Sequence, residues 1–511
     1  MSSKYYSIIY ILLLNISVVC NAKTILNPIS YGILDAKSGI EKYECLLKCH
    51  QDAVRNGCAI SYAGVVSLDI EIPDNAKSIP LPAIVDFSGV ELNVLNNTKH
   101  FTLFTKSASA TPIDVSPSMI DNGLFKGIVE LETKKTVLCI EDQNPWVENR
   151  KGYSYGANRK DMLVLSNGKA QNRVVSGYNN SFSSPKVSYF VAGEKTVFKN
   201  LTFNRDENSS FETYLVYIKN HYNVLINNIV INTPQENDLF GDRAICIENS
   251  SKVRLKDIVI NGTYSQKNKY GYGISMNNVS MFIGERIYAR ARWGVFGTNN
   301  VNGATLTDCD INRFDIHCYG QDLRCYDCKF SNLYNQFSSV FGVVLYDRCV
   351  FTDFTPVLME SSYNAYTPFD ITFKKCTFNL SAKRNYLIAL LGLEQAHNSR
   401  NELARKALPN ITIRSCKMNF LDSTPDRINK WTIINTGKVL YEDTLDYISH
   451  ITVNGLTVSQ ACEFDIFSTS LKTTEPLQVS MRNLYVVQNG KRKKCSIPHC
   501  TVDENRFNIG N

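Results

Sequence analysis

Along most of the chain, apolar and polar residues alternate with period two, and the alternation breaks at regular places. The unit reads "VLINNIVI", "VRLKDIVI", "ATLTDCDI", "LRCYDCKF", "VLYDRCVF", "ITFKKCTF", "ITIRSCKM", "ITVNGLTV" and "VSMRNLYV". Aligned on the residue after the central polar pair, eleven copies fall at Leu201, Ile229, Ile258, Ile287, Cys309, Cys328, Cys349, Cys376, Cys416, Leu456 and Leu484. They are 19 to 40 residues apart, and the position two residues later is large and apolar in every copy except Ala289. Period two marks each half of the unit as a strand, and the polar pair between the halves must bend the chain. Each repeat is therefore strand, bend, strand, then an excursion carrying a third strand. A repeat of about twenty residues at its tightest is the size of one solenoid coil. The expected fold is all-β: a single-stranded right-handed parallel β-helix in one domain over residues 23–511, with coils from about 60 to 490.

The register also reads the cysteines. Cys309, Cys328, Cys349, Cys376 and Cys416 share one inward position on successive coils, so they should stack as a ladder of small apolar side chains. In-register parallel stacking gives poor disulfide geometry, which predicts free thiols. Cys325 and Cys328 both point inward, against a metal site. Cys495 and Cys500, in "CSIPHC", are the better disulfide pair.

The ends follow the same logic. "IEKYECLLKCHQDAVR" (Ile40 to Arg55) places Ile40, Tyr43, Leu47 and Val54 near one helical face and stops at Gly57. Such a helix, within a cap over about 30–60, would cover the open end of the solenoid and its unpaired backbone groups. "AISYAGVVSLDIEIP" then reads as the first coil strands. "RNELARKAL" (Arg400 to Leu408) predicts a short helical insertion that could wall a groove. The tail, 490–511, opens with "GKRKK", read as a solvated basic loop. Residues 1–22 read as a signal peptide: Lys4, then "SIIYILLLNISVVC", too short to span a bilayer comfortably. Cleavage after "CNA" is favoured over lipidation of Cys20, because Val19 is a poor neighbour for that reaction. The protein is then exported: periplasmic, on the cell surface or secreted.

Composition narrows the classes. The 511 residues are 44% hydrophobic, which supplies a core and excludes a disordered chain. The formal charge of +7 suits an anionic partner. No basic stretch carries aromatic interleaving, which disfavours nucleic acid.

The "SYGI…D" opening, the capping helix, "IPDNAKSIPLP" and coils of this kind resemble the right-handed β-helices of polysaccharide lyases and phage tailspike depolymerases. The run "WGVFGTNN … RFDIH" is similar to a β-helix subgroup that includes glycosaminoglycan lyases of gut Bacteroidetes. The resemblance implies action on an anionic polysaccharide, with chondroitin or hyaluronan ahead of pectin or alginate.

The third strands carry the candidate chemistry. In "NRFDIHCYG", alternation that turns Ile316 and Cys318 inward turns Asp315, His317 and Tyr319 outward. The coil before offers Arg290, Arg292 and Trp293. The coils after offer Tyr334, Asn335, Glu360 and Tyr363. These coils are the shortest, which predicts a face without a long covering loop. Eliminative cleavage of a uronic-acid polymer needs a cation on the sugar carboxylate, a base and an acid. Arg292 and Arg313 fit the first role, His317 the second and Tyr319 the third, with Asp315 orienting His317 and Trp293 stacking on a sugar. A hydrolase would instead pair Asp315 with Glu360 or Asp310 across the bond. A non-catalytic glycan binder would keep the aromatics and arginines without a base. Calcium could replace the arginines, although no compact acidic cluster assigns it a site.

Overall fold

The structure, a computed structural model, describes residues 24–95, 101–147, 157–175, 177–181, 183–205, 213–232, 244–261, 272–289, 294–331, 334–360, 369–381, 385–391, 409–421, 429–435, 450–460, 462–467, 478–495 and 506–509. The chain forms a right-handed parallel β-helix. Each coil contributes to three parallel faces. Face A holds the first half of the repeat, face B the second half, and face C the third strand. On face B the register runs Leu201↔Ile229↔Ile258↔Ile287. Two residues later it runs Ala289↔Ile311↔Phe330↔Phe351↔Phe378↔Met418↔Val458↔Val486.

The bend between faces A and B has one cause in all eleven copies. The residue before each aligned position has positive φ: Asn200, Asn228, Asp257, Arg286, Asp308, Asp327, Arg348, Lys375, Ser415, Gly455 and Asn483. One left-handed residue turns the strand, and Asn, Asp and Gly tolerate it best. At the two positions where an arginine stands there, a neighbouring coil pairs with it. Arg286 Nε and Nη2 donate to Asp257 at 2.6 and 3.0 Å. Arg348 Nε and Nη2 donate to Asp327 at 2.7 and 2.8 Å. Asp308 and Asp327 are thus turn residues, as their position in the repeat implies.

All eleven aligned side chains are buried, at most 2% exposed. The five ladder cysteines are free thiols. Beside them Phe351 stacks between Phe330 and Phe378, at centroid distances of 5.3 and 5.5 Å. A twelfth copy precedes the others: Val90 pairs with Leu201, with an irregularity at a bend that carries two positive-φ residues, Ser88 and Gly89.

The N-terminal cap is the helix Gly39–Asn56. Ser38 accepts from Glu41 N at 3.1 Å, and Gly57 closes the helix at φ 66°. Its buried face is Tyr43, Leu46, Cys49, His50 and Ala53. Ile40 and Val54, expected on that face, are exposed. Spacing by seven lets Ile40, Leu47 and Val54 drift round the helix. His50 marks the real contact stripe, with Nδ1 3.0 Å from Pro80 O and Nε2 2.8 Å from Tyr62 Oη.

The coils, expected from about 60 to 490, enclose an inserted sheet that the sequence reading does not include. Between the face C strand Phe101–Ser107 and the strand Thr196–Arg205, which passes through faces A and B, the chain builds a separate five-stranded antiparallel sheet. Its long strands are Thr136–Val147, Ala157–Ser166 and Pro185–Val191. One side of this inserted sheet has its own core around Leu138, Ile140, Leu163 and Leu165. The other side packs Val137, Met162, Val164 and Phe190 onto Tyr222 of the solenoid. The helix expected at 400–408, the segment 1–22 with Cys20, and Cys500 lie outside the described residues. The run Lys491–Lys494, expected as a loop, is an exposed strand antiparallel to Tyr485–Gln488. Lysines there discourage further pairing at an edge.

Candidate functional site

The third strands stack on face C with Gly297 beside Asp315 and Ile316 beside Phe337. Phe314 and Ile316 enter the core, so Asp315 points out. Four residues from three coils meet around its carboxylate. Arg313 Nε donates to Asp315 Oδ1 at 2.6 Å, and Gln336 N donates to the same oxygen at 2.9 Å. Tyr272 Oη donates to Asp315 Oδ2 at 2.8 Å and stands 2.9 Å from His317 Nε2. Arg313 Nη2 also donates to Gln336 Oε1 at 2.6 Å.

Tyr272 gets there by crossing a whole coil. Its backbone pairs with Gly294 on the next coil, and its hydroxyl reaches Asp315 on the coil after that. The ring lies over two glycines. A Cβ at Gly297 would sit 2.5 Å from Tyr272 Cγ and Cδ2, and one at Gly294 would sit 2.8 Å from Cε1. These glycines make room for the ring rather than for an unusual backbone angle.

The electrostatics fix the protons. Burial of Asp315 alone would raise its pKa. The Arg313 charge and hydrogen bond, with His317 close by, outweigh that and hold the carboxyl below its ordinary value. Burial alone would lower Arg313; Asp315 reverses this and raises it. An ionised Asp315 only accepts, so the Tyr272 proton belongs to it. His317 Nε2 must then donate to the phenol oxygen, which leaves Nδ1 unprotonated in the neutral imidazole.

Other expected site residues stand elsewhere. The chain turns at 317–319, so alternation fails there. Cys318, expected in the core, sends Sγ toward Asn158 O of the inserted sheet at 3.8 Å. Tyr319, expected on an open face, is fully buried beneath that sheet. Its Oη accepts from Val175 N at 3.4 Å, and the Arg159 guanidinium lies 5.1 Å from its ring. Burial pushes its pKa far above the ordinary phenol value. Tyr319 therefore belongs to a buried cluster with Arg159, Asp161 and Tyr178, in which Arg159 Nε and Tyr178 Oη donate to Asp161 Oδ2 at 2.9 and 2.8 Å. The face expected to be uncovered has the inserted sheet along one side.

Asn335 is also buried. Its Oδ1 accepts from Phe314 N at 2.8 Å, and its Nδ2 donates to Tyr346 Oη and Pro356 O at 3.0 and 2.9 Å. That makes it a brace under the site rather than a sugar contact. Tyr334 is half-buried, with its ring 4.9 Å from the Arg313 guanidinium. Arg313 is fully buried and committed to Asp315 and Gln336, so it is not placed to take a sugar carboxylate. Arg290, Arg292, Trp293 and Tyr363 lie outside the described residues. Glu360 ends the strand Thr355–Glu360, and its side chain lies outside them too. Among the described residues, no three of His, Cys, Asp and Glu stand together as metal ligands.

Tyr272 is the site residue that the sequence reading passes over. Its signal is an aromatic residue in "YGYGIS" facing a glycine pair in "GVFG" one coil on, two coils before "DIH".

No protein-family model and no curated protein matches the chain. Its fold is matched among solved structures. The tailspike protein gp49 from Pseudomonas phage LKA1 superposes with a TM-score of 0.55 at 9% identity, covering 90% of this chain and 81% of that one. The Pseudomonas phage phi297 tailspike gp61 gives 0.55 at 10% identity, covering 91% and 81%. At such identities the likeness concerns the backbone path alone, and it establishes that this chain has the right-handed parallel β-helix fold of those two tailspikes.

Proposed function

We propose that the chain is an exported enzyme that cleaves a uronic-acid-containing polysaccharide by β-elimination on face C. The single observation that carries this reading is the chain Asp315–Tyr272–His317. It orients the imidazole and backs it with a carboxylate through the Tyr272 hydroxyl. His317 is the base. When it becomes an imidazolium, the charge is met through the Tyr272 hydroxyl and by Asp315 Oδ2, 3.7 Å from Nε2. The same imidazolium can return its proton to the leaving oxygen if base and leaving group share one side of the sugar. Asp315 and Tyr272 are positioning residues, and Arg313 holds Asp315 in its ionised form. Arg292 remains the candidate for the sugar carboxylate, with Arg290, Trp293 and Tyr363 as further contacts.

The charge of +7 supports an anionic polymer, with chondroitin or hyaluronan preferred on the sequence resemblance. Hydrolysis by Asp315 is disfavoured, because both of its oxygens are engaged by Arg313, Gln336 and Tyr272. The test is absorbance in the ultraviolet on incubation with a panel of uronic-acid polysaccharides, with and without chelator. The reading expects an unsaturated product from the wild type and none from His317→Ala. Full activity in that variant removes the base assignment, and silence of the wild type across the panel removes the lyase reading.

A further inference from the structure

Face C carries a second row of outward side chains, next to the row that holds Asp315. The strand register places Lys219, Glu248 and Asn277 on successive coils, with Asn299 beside Asn277 on the next. Thr298 pairs with Ile316, so the row continues from Asn299 to His317. Coils are about 4.8 Å apart, so the row from Lys219 to His317 spans roughly 19 Å. Its members are half-exposed up to His317, which is 9% exposed.

Two features separate this row from the polar ladders elsewhere on the solenoid. First, its asparagines are unengaged. Asn228 donates to Asn200, Asn232 to Asn204, Asn261 to Asn232 and Asn278 to Asn249. Among the described residues, the Asn277 and Asn299 side chains have no such partner, although the adjacent Asn278 bonds to Asn249 and the adjacent Asn300 accepts from Lys160 N. Glu248 is held from the side by Tyr217 Oη at 2.7 Å, which orients its carboxylate.

Second, the row has a wall. The chain leaving for the inserted sheet bonds beside its far end, where Ala108 N donates to Lys219 O at 3.2 Å. At the near end Lys160 N donates to Asn300 Oδ1 at 2.8 Å, and Cys318 Sγ meets Asn158 O. Lys160 is partly exposed there and paired with Glu141 at 3.1 Å. Between these ends, the inserted strand Ala157–Ser166 contacts the coil strands that carry Glu248, Asn277 and Asn299.

We propose that the row Lys219–Glu248–Asn277–Asn299, walled by the inserted sheet, is a track that binds about four consecutive sugars of a polysaccharide and delivers the next to His317. One sugar of an extended chain advances by about one coil, so each ring meets one ammonium, carboxylate or amide, and these groups pair well with sugar hydroxyls. The assignment rests on the reading of His317 as the reacting end, and its test is arranged to fail separately.

The measurement is binding of size-fractionated hyaluronan and chondroitin oligosaccharides, from two to ten sugars, to the full chain carrying His317→Ala, which removes turnover. Affinity should rise with length up to about five sugars and then level off. Asn277→Ala with Asn299→Ala should flatten the rise, leaving the longer oligosaccharides roughly tenfold weaker, from two lost hydrogen bonds. The shortest should bind unchanged. Circular dichroism should show the same fold, because both side chains are outward. Equal affinity of the double variant at every length overturns the track, as does absence of binding by the parent to every oligosaccharide. Length-dependent binding that the variants abolish, from a wild type that cleaves nothing, upholds the track and overturns the lyase reading instead.

Discussion

Gly297→Ala tests the architecture of the site without touching a polar group. Gly297 has no positive φ, so alanine meets no backbone penalty, and the whole effect comes from the added methyl. That methyl would sit 2.5 Å from two ring carbons of Tyr272, well inside van der Waals contact, and the ring must move. Overpacking of this kind costs about 1–3 kcal/mol. A displaced ring also loses the 2.8 Å bond to ionised Asp315, worth about 1.5–3 kcal/mol, and the 2.9 Å contact with His317. If positioning of His317 accounts for about 2 kcal/mol of transition-state stabilisation, the rate falls roughly thirtyfold. The assay is a double-mutant cycle read by urea midpoint and by rate of ultraviolet product formation. Gly297→Ala should be costly in the wild type and nearly silent beside Tyr272→Ala, because the obstacle is gone. Equal cost in both backgrounds refutes the idea that the glycine is a seat for the ring.

Acid should loosen the N-terminal cap. Burial pushes His50 down to about 4 from 6.5, against its hydrogen bond with Pro80. Between those values the unfolded chain binds the proton and the folded chain does not. Stability is therefore lost as pH falls from about 6.5 to about 4, by up to about 3 kcal/mol, and His50→Gln should flatten that limb of a pH–urea profile. Arg159→Met leaves the fully buried Asp161 carboxyl without its cation, a loss of about 3–5 kcal/mol, which limited proteolysis should register as earlier cutting in the inserted sheet than in the coils. The ladder thiols of Cys309, Cys328, Cys349, Cys376 and Cys416 should stay inert to a thiol reagent in the native protein and react in urea. Fast native reaction at any of them contradicts the core placement.

The parts that were legible in the sequence are those set by strict local periodicity. One left-handed residue followed by an inward apolar residue recurs eleven times, and that was enough to fix faces A and B, the register and the thiol ladder. Val90 escaped because its bend spends two residues, Ser88 and Gly89, where the others spend one. The inserted sheet escaped because "VLCIED" and "DMLVLS" alternate or run apolar much as coil strands do, and pairing direction leaves no mark on composition. Cys318 and Tyr319 were misplaced because parity was carried through a corner of the solenoid, where it does not hold. Asp315 and His317 were legible as a pair. Their link was not, because Tyr272 lies 45 residues before His317 and reaches it across an intervening coil. Glycines opposite an aromatic residue were the trace it left.

The most direct measurement is the ultraviolet progress curve of the full chain on hyaluronan and chondroitin sulfate, run beside His317→Ala and Tyr272→Phe under one set of conditions. An unsaturated product is expected from the wild type, none from His317→Ala, and a reduced rate from Tyr272→Phe, which keeps the ring but loses the hydroxyl between Asp315 and His317. Wild-type rates in both variants would contradict that expectation.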